Sequence, residues 1–283
     1  MKHKFFSLLC LFVIIVINPP TSGMAVPPRL PTTGEAIQSP QDALNVELIA
    51  QLGGVTSAVA IQGSYAYIGV GPRLVILDIS NPSSLVVVGM TQPFPSAVQG
   101  VAVSGEYAYI ADGGAGLLVV NISDPASPVE VGLNDTPRYG YDVTVSGGYA
   151  YVADGYAGLL VVNIADPANP VEAGIYDTPS STYGVAVSGE YAYIADGAAG
   201  LLVVNMSDPA SPTGVGVYDT PGAARGVAVS GSYAYVADNT YGLRAVNITD
   251  PAHPVEVGFY DTPGRAKGVT VVGGYAYVAD NDA

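Results

Sequence analysis

Residues 184–220 read GVAVSGEYAYIADGAAGLLVVNMSDPASPTGVGVYDT, and most of the 283-residue chain is this unit repeated. The Tyr-Ala-Tyr triplet inside the unit recurs every 42 residues, beginning at Tyr65, Tyr107, Tyr149, Tyr191, Tyr233 and Tyr275. A fixed period of this length indicates a repeat architecture, and about four short strands per unit indicate a propeller. The predicted fold class is therefore all-β, a β-propeller of four-stranded antiparallel blades.

One unit divides into four strands, which we call a to d. In the second unit we predict strand a at 101–103, strand b at 107–111, strand c at 117–122 and strand d at 128–132. Side chains alternate along a strand, so the two tyrosines of strand b share one face. We expect their rings to lie between neighbouring blades. Strand c is apolar on both faces, as expected for a strand covered by a blade on each side.

The predicted turns each contain a residue type that explains them. Strands a and b are joined by Gly-X pairs such as Gly105-Glu106, and glycine at the first central position is typical of a type II′ hairpin. Strands c and d are joined by Asp-Pro-Ala-X-Pro, in which Asp accepts hydrogen bonds from backbone amides and Pro fixes the backbone. An aspartate also ends strand b in five units, and its repetition predicts a structural cap for loop amides. These aspartates are Asp112, Asp154, Asp196, Asp238 and Asp280.

The last unit stops after strand b, so two strands are needed to complete it. Residues 46–52, VELIAQL, resemble strand d, and residues 36–40 are a fainter match to strand c and its proline turn. We expect a propeller over residues 46–283 with six blades, the last one shared between the two ends of the chain, which leaves no open sheet edge. The alternative is that the chain is a piece of a longer repeat protein.

The amino terminus has the pattern of a secretory signal. Lys2 and Lys4 precede an apolar run over residues 5–17, which is too short to span a bilayer, and we place cleavage after Ala25. The one cysteine, Cys10, leaves with this segment. Residues 26–45 are rich in proline and are expected to form an extended linker. The protein is therefore predicted to be secreted or exposed at the cell surface, with no membrane span in the mature chain.

The mature chain is strongly acidic. Without Lys2 and Lys4 it has 7 basic and 24 acidic residues, a formal net charge of −17. Such an excess of negative charge disfavours nucleic acid and anionic lipid as partners. We expect a monomer whose partner is a protein or a carbohydrate at the cell surface.

The sequence LLVVNISDP at 117–125, preceded by YAYIAD at 107–112, resembles the LVIVD repeat of secreted and cell-surface proteins. The resemblance covers residues 57–280. The first unit departs from it, with Val70 in place of Asp and Pro72-Arg73 in a shortened loop. Membership would imply a β-propeller, usually without an assigned activity, and it transfers no catalytic residues.

The loops that differ most between units are those from strand d to the next strand a, followed by the loops from b to c. In a four-stranded blade these two loops lie at the same end, where propellers commonly bind ligands. Five basic residues fall there, Arg73 among them, together with tyrosines that include Tyr141. The predicted binding residues are Arg138, Tyr139, Tyr156, Tyr183, Arg225, Tyr241, Arg265 and Lys267. Basic and aromatic side chains together suggest a carboxylated or sulfated glycan or a protein. Alternatively, each cation pairs with a nearby repeat aspartate.

No catalytic residue is predicted. A catalytic pair of carboxylates should differ from its surroundings, whereas the same aspartate recurs in nearly every unit. No cofactor is predicted, although calcium shared between loop oxygens is an alternative. His253 occupies a variable turn position and is interpreted as a turn residue. The predicted function is a non-catalytic binding or scaffold propeller. The alternatives are a carboxylate-dependent polysaccharide hydrolase or lyase and a self-associating envelope protein.

Overall fold

The computed structural model describes residues 56–281, which form 22 strands and no helix. The predicted signal (1–25), the linker (26–45) and the segments expected to complete the last blade (36–40 and 46–52) lie outside the described residues. Within residues 56–281 no helix has the length and apolar character needed to cross a membrane.

The strands group into six consecutive sheets, each a meander in which neighbours along the chain pair antiparallel. Blade 1 contains β1 (Thr56–Gln62), β2 (Tyr65–Val70), β3 (Arg73–Asp78) and β4 (Val86–Met90). Blade 2 contains β5 (Gly100–Ser104), β6 (Tyr107–Ala111), β7 (Leu117–Asn121) and β8 (Val129–Asn134). Blade 3 contains β9 (Asp142–Ser146), β10 (Tyr149–Ala153), β11 (Leu159–Asn163) and β12 (Val171–Tyr176). Blade 4 contains β13 (Gly184–Ser188), β14 (Tyr191–Ala195), β15 (Leu201–Asn205) and β16 (Thr213–Tyr218). Blade 5 contains β17 (Gly226–Ser230), β18 (Tyr233–Ala237), β19 (Leu243–Asn247) and β20 (Val255–Tyr260). The described part of blade 6 contains β21 (Arg265–Val272) and β22 (Tyr275–Asn281).

The first strand of each blade lies innermost, because the a strands of consecutive blades contact one another. The core consists of apolar layers between blades. Tyr109 and Leu117 of blade 2, for example, pack against Val143, Val152 and Leu160 of blade 3. The second tyrosine of each Tyr-Ala-Tyr triplet is buried in such a layer in the first four blades, and the first tyrosine packs against the same layer. The predicted position of the tyrosines between blades is confirmed.

The hairpins between strands a and b follow the prediction in four blades and differ from it in two. At Gly105-Glu106 only the glycine has positive φ, as in a type II′ turn, and the same holds at residues 63–64, 189–190 and 231–232. At Gly147-Gly148 both residues have positive φ, at 59° and 82°, which is the pattern of a type I′ turn. Residues 273–274 show the same pattern. A second glycine removes the steric cost of positive φ at the second position, which explains the difference.

Strand d has a β-bulge at the same position in all five complete blades. In blade 2, Val119 pairs with Gly132 and Val120 with Glu130, which leaves Val131 without a partner. The glycine after the bulge packs closely on the next blade, because a Cβ atom at Gly132 would collide with the carbonyl oxygen of Pro167 in the following Asp-Pro turn. The equivalent glycines of blades 1, 3 and 4 meet the next turn in the same way.

Gly258 in blade 5 is the exception, since a Cβ atom there would meet no atom within 4 Å. In the other blades this glycine meets the turn between strands c and d of the next blade, and the described part of blade 6 contains only β21 and β22. Tyr260 is 66 % exposed, whereas the equivalent Tyr218 of blade 4 is only partly exposed. The face of blade 5 that carries Gly258 and Tyr260 is therefore uncovered in the described part of the chain.

Candidate functional site at the d–a and b–c loops

The d–a and b–c loops lie at the same end of each blade, as predicted, and they are hydrogen-bonded to each other. An isolated antiparallel bridge joins Gly113 in the b–c loop of blade 2 to Gly140 in the following d–a loop. Equivalent bridges join Gly155 to Thr182 and Gly197 to Ala224. The backbone of this end is thus held in place by the same contact in successive blades.

The aspartate that ends strand b is the cap that the sequence predicts. Asp154 accepts a hydrogen bond from the Thr136 hydroxyl at 2.9 Å and one from the backbone N–H of Arg138 at 3.0 Å. Asp196, Asp238 and Asp280 bind the equivalent threonine and amide, and Asp112 accepts the amide of Ser96. Burial raises the pKa of Asp154, while the bonds from Thr136 and Arg138 oppose that rise. These carboxylates therefore hold the d–a loops in shape.

An unbroken stack of side chains crosses three blades at this end. The rings of Tyr139 and Tyr141 are 4.8 Å apart, and those of Tyr141 and Tyr183 are 5.0 Å apart with an edge-to-face geometry. The guanidinium carbon of Arg225 lies 3.9 Å from the centre of the Tyr183 ring, which is a close cation–π contact. The sequence predicts three of these four residues, and the fourth, Tyr141, lies at the centre of the stack.

The stack is positioned by the glycines of the b–c loops. Gly155 and Gly197 have positive φ, at 56° and 50°. Their missing side chains also leave room for the tyrosines, since a Cβ atom would lie 3.2 Å from the Tyr141 ring and 3.3 Å from the Tyr183 ring, respectively. Burial raises the pKa of Tyr141, and Tyr183 and Tyr139 raise it further, while the charge of Arg225 lowers it. Tyr141, Tyr183 and Arg225 are therefore partly buried together, and Tyr139 lies at the exposed end of the stack.

The other predicted residues are distributed around this stack. Tyr156 is 78 % exposed and close enough to affect the pKa of Tyr141. Arg138 is exposed beside the stack, while Arg265 and Lys267 are exposed on β21. Tyr241 is separate from the stack and lies over Gly222, where a Cβ atom would be 2.8 Å from its ring. Sequence reasoning thus places these residues at one end of the molecule and does not give their grouping.

The alternative that each cation pairs with a repeat aspartate is not met by a close ion pair for three of them, although the charge of Arg138 does lower the pKa of Asp154. Among residues 56–281, ion pairs within 4.0 Å are formed by Arg244 and His253, and none by Arg138, Arg225 or Lys267. His253 contacts Asp250 at 2.9 Å inside its Asp-Pro turn, which confirms it as a turn residue.

Two residues that the sequence analysis does not single out are departures from the repeat. Asp142 occupies a position that holds Ala58, Gly100, Gly184, Gly226 and Gly268 in the other units. Its carboxylate accepts hydrogen bonds from its neighbour Val143 at 2.9 Å and from Val185 on the next blade at 3.1 Å. Burial raises the pKa of Asp142 to about 6, against the lowering effect of these two bonds, although part of the residue still reaches solvent.

Arg244 is the second departure, because the equivalent residues on strand c are Leu118, Leu160 and Leu202. It is 5 % exposed and lies within 4.0 Å of three carboxylates, those of Asp238, Glu256 and Asp261. Glu256 also accepts a hydrogen bond from the Tyr218 hydroxyl at 2.6 Å. Burial and then this bond raise the pKa of Tyr218 to about 12. The surrounding carboxylates already neutralise the charge of Arg244.

No group of three or more His, Cys, Asp or Glu in the described part of the chain is arranged to hold a metal ion.

Comparison with known proteins agrees with the repeat and the fold. The model of the LVIVD repeat matches residues 53–92, 96–136, 137–178, 180–220, 221–262 and 263–283, and the chain belongs to this family. No curated protein matches the sequence.

Three solved structures illustrate the likeness. The β-propeller domain of Cps50 (Swd1) from Myceliophteria thermophila is 13 % identical, with a TM-score of 0.67 over 81 % of this chain and 80 % of that one. The computationally designed protein Ika8 is 9 % identical, with a TM-score of 0.65 over 84 % and 73 %. A protein of unknown function from Desulfotomaculum acetoxidans DSM 771 is 15 % identical, with a TM-score of 0.62 over 76 % and 73 %. At these identities the likeness establishes the β-propeller fold alone.

Proposed function

We propose that this protein is a non-catalytic binding or scaffold propeller, secreted or exposed at the cell surface, that presents its d–a and b–c loops to a glycan or protein ligand. The observation that carries the proposal is the stack of Tyr139, Tyr141, Tyr183 and Arg225. Aromatic and arginine side chains supply most of the binding energy in many interfaces, because they offer large contact areas and directed hydrogen bonds.

The rigidity of the loops supports the same function. Side chains whose loops are already fixed by aspartate caps and backbone bridges lose little conformational entropy when a ligand binds. The recurring aspartates are occupied in these caps, which supports a binding role in preference to acid–base catalysis.

A panel of immobilised polysaccharides tests the proposal, with acidic members (pectate, alginate, hyaluronan) and neutral ones (xylan, cellulose, mannan). The quadruple variant of Arg138, Arg225, Arg265 and Lys267 to Ala should lose capture while its melting temperature stays nearly unchanged. The matched control replaces Glu106 and Glu190, in the a–b turns at the opposite end, with Ala and should bind as the wild type does. Capture that survives the quadruple change would show that the site is elsewhere.

The same panel separates binding from catalysis. A hydrolase or lyase would release soluble products from one of the polysaccharides, and that release would be lost on an Asp→Asn change in one or two blades only. We expect no product release from any panel member.

A further inference from the structure

One repeat position recurs in five successive blades at the end that carries the d–a and b–c loops. Gln99, Tyr141, Tyr183, Arg225 and Lys267 are spaced by 42 residues. The first four directly precede the inner strand of their blade, and Lys267 is the third residue of β21. Contacts join the middle of the row, where Tyr141 lies beside Tyr183 and Tyr183 beside Arg225. We call these five residues the row.

The backbone shows that Lys267 continues the row beyond Arg225. A Cβ atom at Gly184 would lie 3.0 Å from the carbonyl oxygen of Arg225, and one at Gly226 would lie 2.8 Å from that of Lys267. Lys267 therefore stands beside blade 5 as Arg225 stands beside blade 4. Along the row the side chains are, in chain order, an amide, two tyrosines and two cations.

The cationic end of the row is built to receive an anion. Arg225 and Lys267 have no carboxylate within 4.0 Å among residues 56–281. Arg225 uses the face of its guanidinium against Tyr183, and an arginine stacked in this way keeps its N–H edge for a carboxylate, which it can bind through two hydrogen bonds.

The aromatic end is suited to a sugar ring. Tyr141 and Tyr183 are partly buried and meet edge to face at an interplanar angle of 61°, with Arg225 against the Tyr183 ring, so a ligand can contact the parts of the two rings that these contacts leave open. Tyrosine combines apolar area with a hydrogen-bonding hydroxyl, which matches a ligand that has C–H groups and hydroxyls side by side.

The charge of the whole chain selects between acidic ligands. At a net charge of −15, the protein repels densely charged polyanions at long range, and two local cations do not offset that repulsion. A sugar with a single carboxylate satisfies the two cations without the repulsion.

We propose that the row binds a uronic acid residue of a glycan, with the carboxylate on Arg225 and Lys267 and the sugar ring on Tyr141 and Tyr183. This assignment rests on the proposed binding function and specifies its ligand. It places the specificity for charge at one end of the row and the affinity for the ring at the other.

Titration with methyl glucuronide and methyl glucoside, followed by NMR, tests the proposal because the two probes differ only in the carboxylate. We expect the glucuronide to bind about tenfold more tightly or better, as one charge-assisted interaction implies. Arg225→Gln should abolish this preference and leave the weak binding of the glucoside, whereas Tyr183→Leu should weaken both probes. Glu106→Gln, a change of a charged residue to an amide in the a–b turn at the opposite end, is the matched control and should keep the preference.

The outcomes separate the two proposals. If both probes bind equally and Tyr183→Leu weakens them, the row binds ligands but the carboxylate assignment is wrong. If neither probe binds and a sulfated polymer or a protein binds through the row, the uronic acid proposal is overturned while the binding function stands. If no ligand of any class responds to changes in the row, both proposals are overturned.

Discussion

Asp142 should give the protein a pH dependence that no other unit contributes, because the other units have glycine or alanine at this position. Its pKa is about 6 in the folded protein, above the ordinary value of 3.8 that we take for the unfolded chain. Between these values the folded state holds the additional proton, so the free energy of unfolding falls as the pH rises. A pKa difference of about two units between the folded and the unfolded chain corresponds to about 3 kcal/mol of unfolding free energy. Because part of Asp142 reaches solvent, we expect its deprotonation to lower the free energy of unfolding by about 1 to 3 kcal/mol.

The change to make is Asp142→Asn, which keeps the size of the side chain and removes its charge. Urea unfolding of both proteins at pH 4, 5, 6 and 7 gives the difference in unfolding free energy at each pH, and the other carboxylates cancel in that difference. The wild type should lose about 1 to 3 kcal/mol relative to the variant between pH 4 and pH 7. A difference that stays constant with pH, or that changes in favour of the wild type, would refute the reasoning.

Four further predictions concern stability and can be measured by urea unfolding at pH 7. Replacing Gly216 with Ala forces a Cβ atom onto the next blade and should cost about 1 to 3 kcal/mol. Gly258→Ala should cost a similar amount if the amino-terminal segments complete blade 6, and a neutral or stabilising result would contradict the shared blade. Thr136→Val removes the hydroxyl donor to the buried Asp154 and should cost about 1.5 to 3 kcal/mol, whereas a loss below 0.5 kcal/mol, roughly the noise level, would contradict its role in the cap. Arg244→Leu should change stability by less than about 1 kcal/mol or increase it, because blade 3 has the equivalent carboxylates Asp154, Glu172 and Asp177 with Leu160 in place of the arginine. A loss of about 3 kcal/mol or more would show that the ion pairs are essential.

The sequence predicts the strands, the blades and the aspartate caps because each rests on local chemistry that recurs from unit to unit, in five of the six units for the aspartate. Period-2 spacing places the tyrosines of Tyr-Ala-Tyr on one face. Glycine at the first central position of each a–b hairpin allows the positive φ that the turn needs. The type I′ turn at Gly147-Gly148 is a difference of the same local kind, since the second glycine is visible in the sequence.

Which side chains of the site touch one another could not be predicted so directly, because those contacts are made between neighbouring blades. Tyr141 and Tyr183 are 42 residues apart, and nothing local indicates that their rings touch. Asp142 and Arg244 are visible as departures from the repeat, but their environments depend on which neighbours face them. Comparing the units position by position is the signal that could have found both residues.

The most direct test of the binding account is hydrogen–deuterium exchange of the whole protein, with and without the panel polysaccharide that it binds most tightly. We predict slower exchange in the d–a loops at 138–141, 180–183 and 222–225, and no change in the a–b turns at 105–106, 147–148 and 189–190 at the opposite end. Protection confined to the a–b turns, or to the outer d strands, would contradict the account.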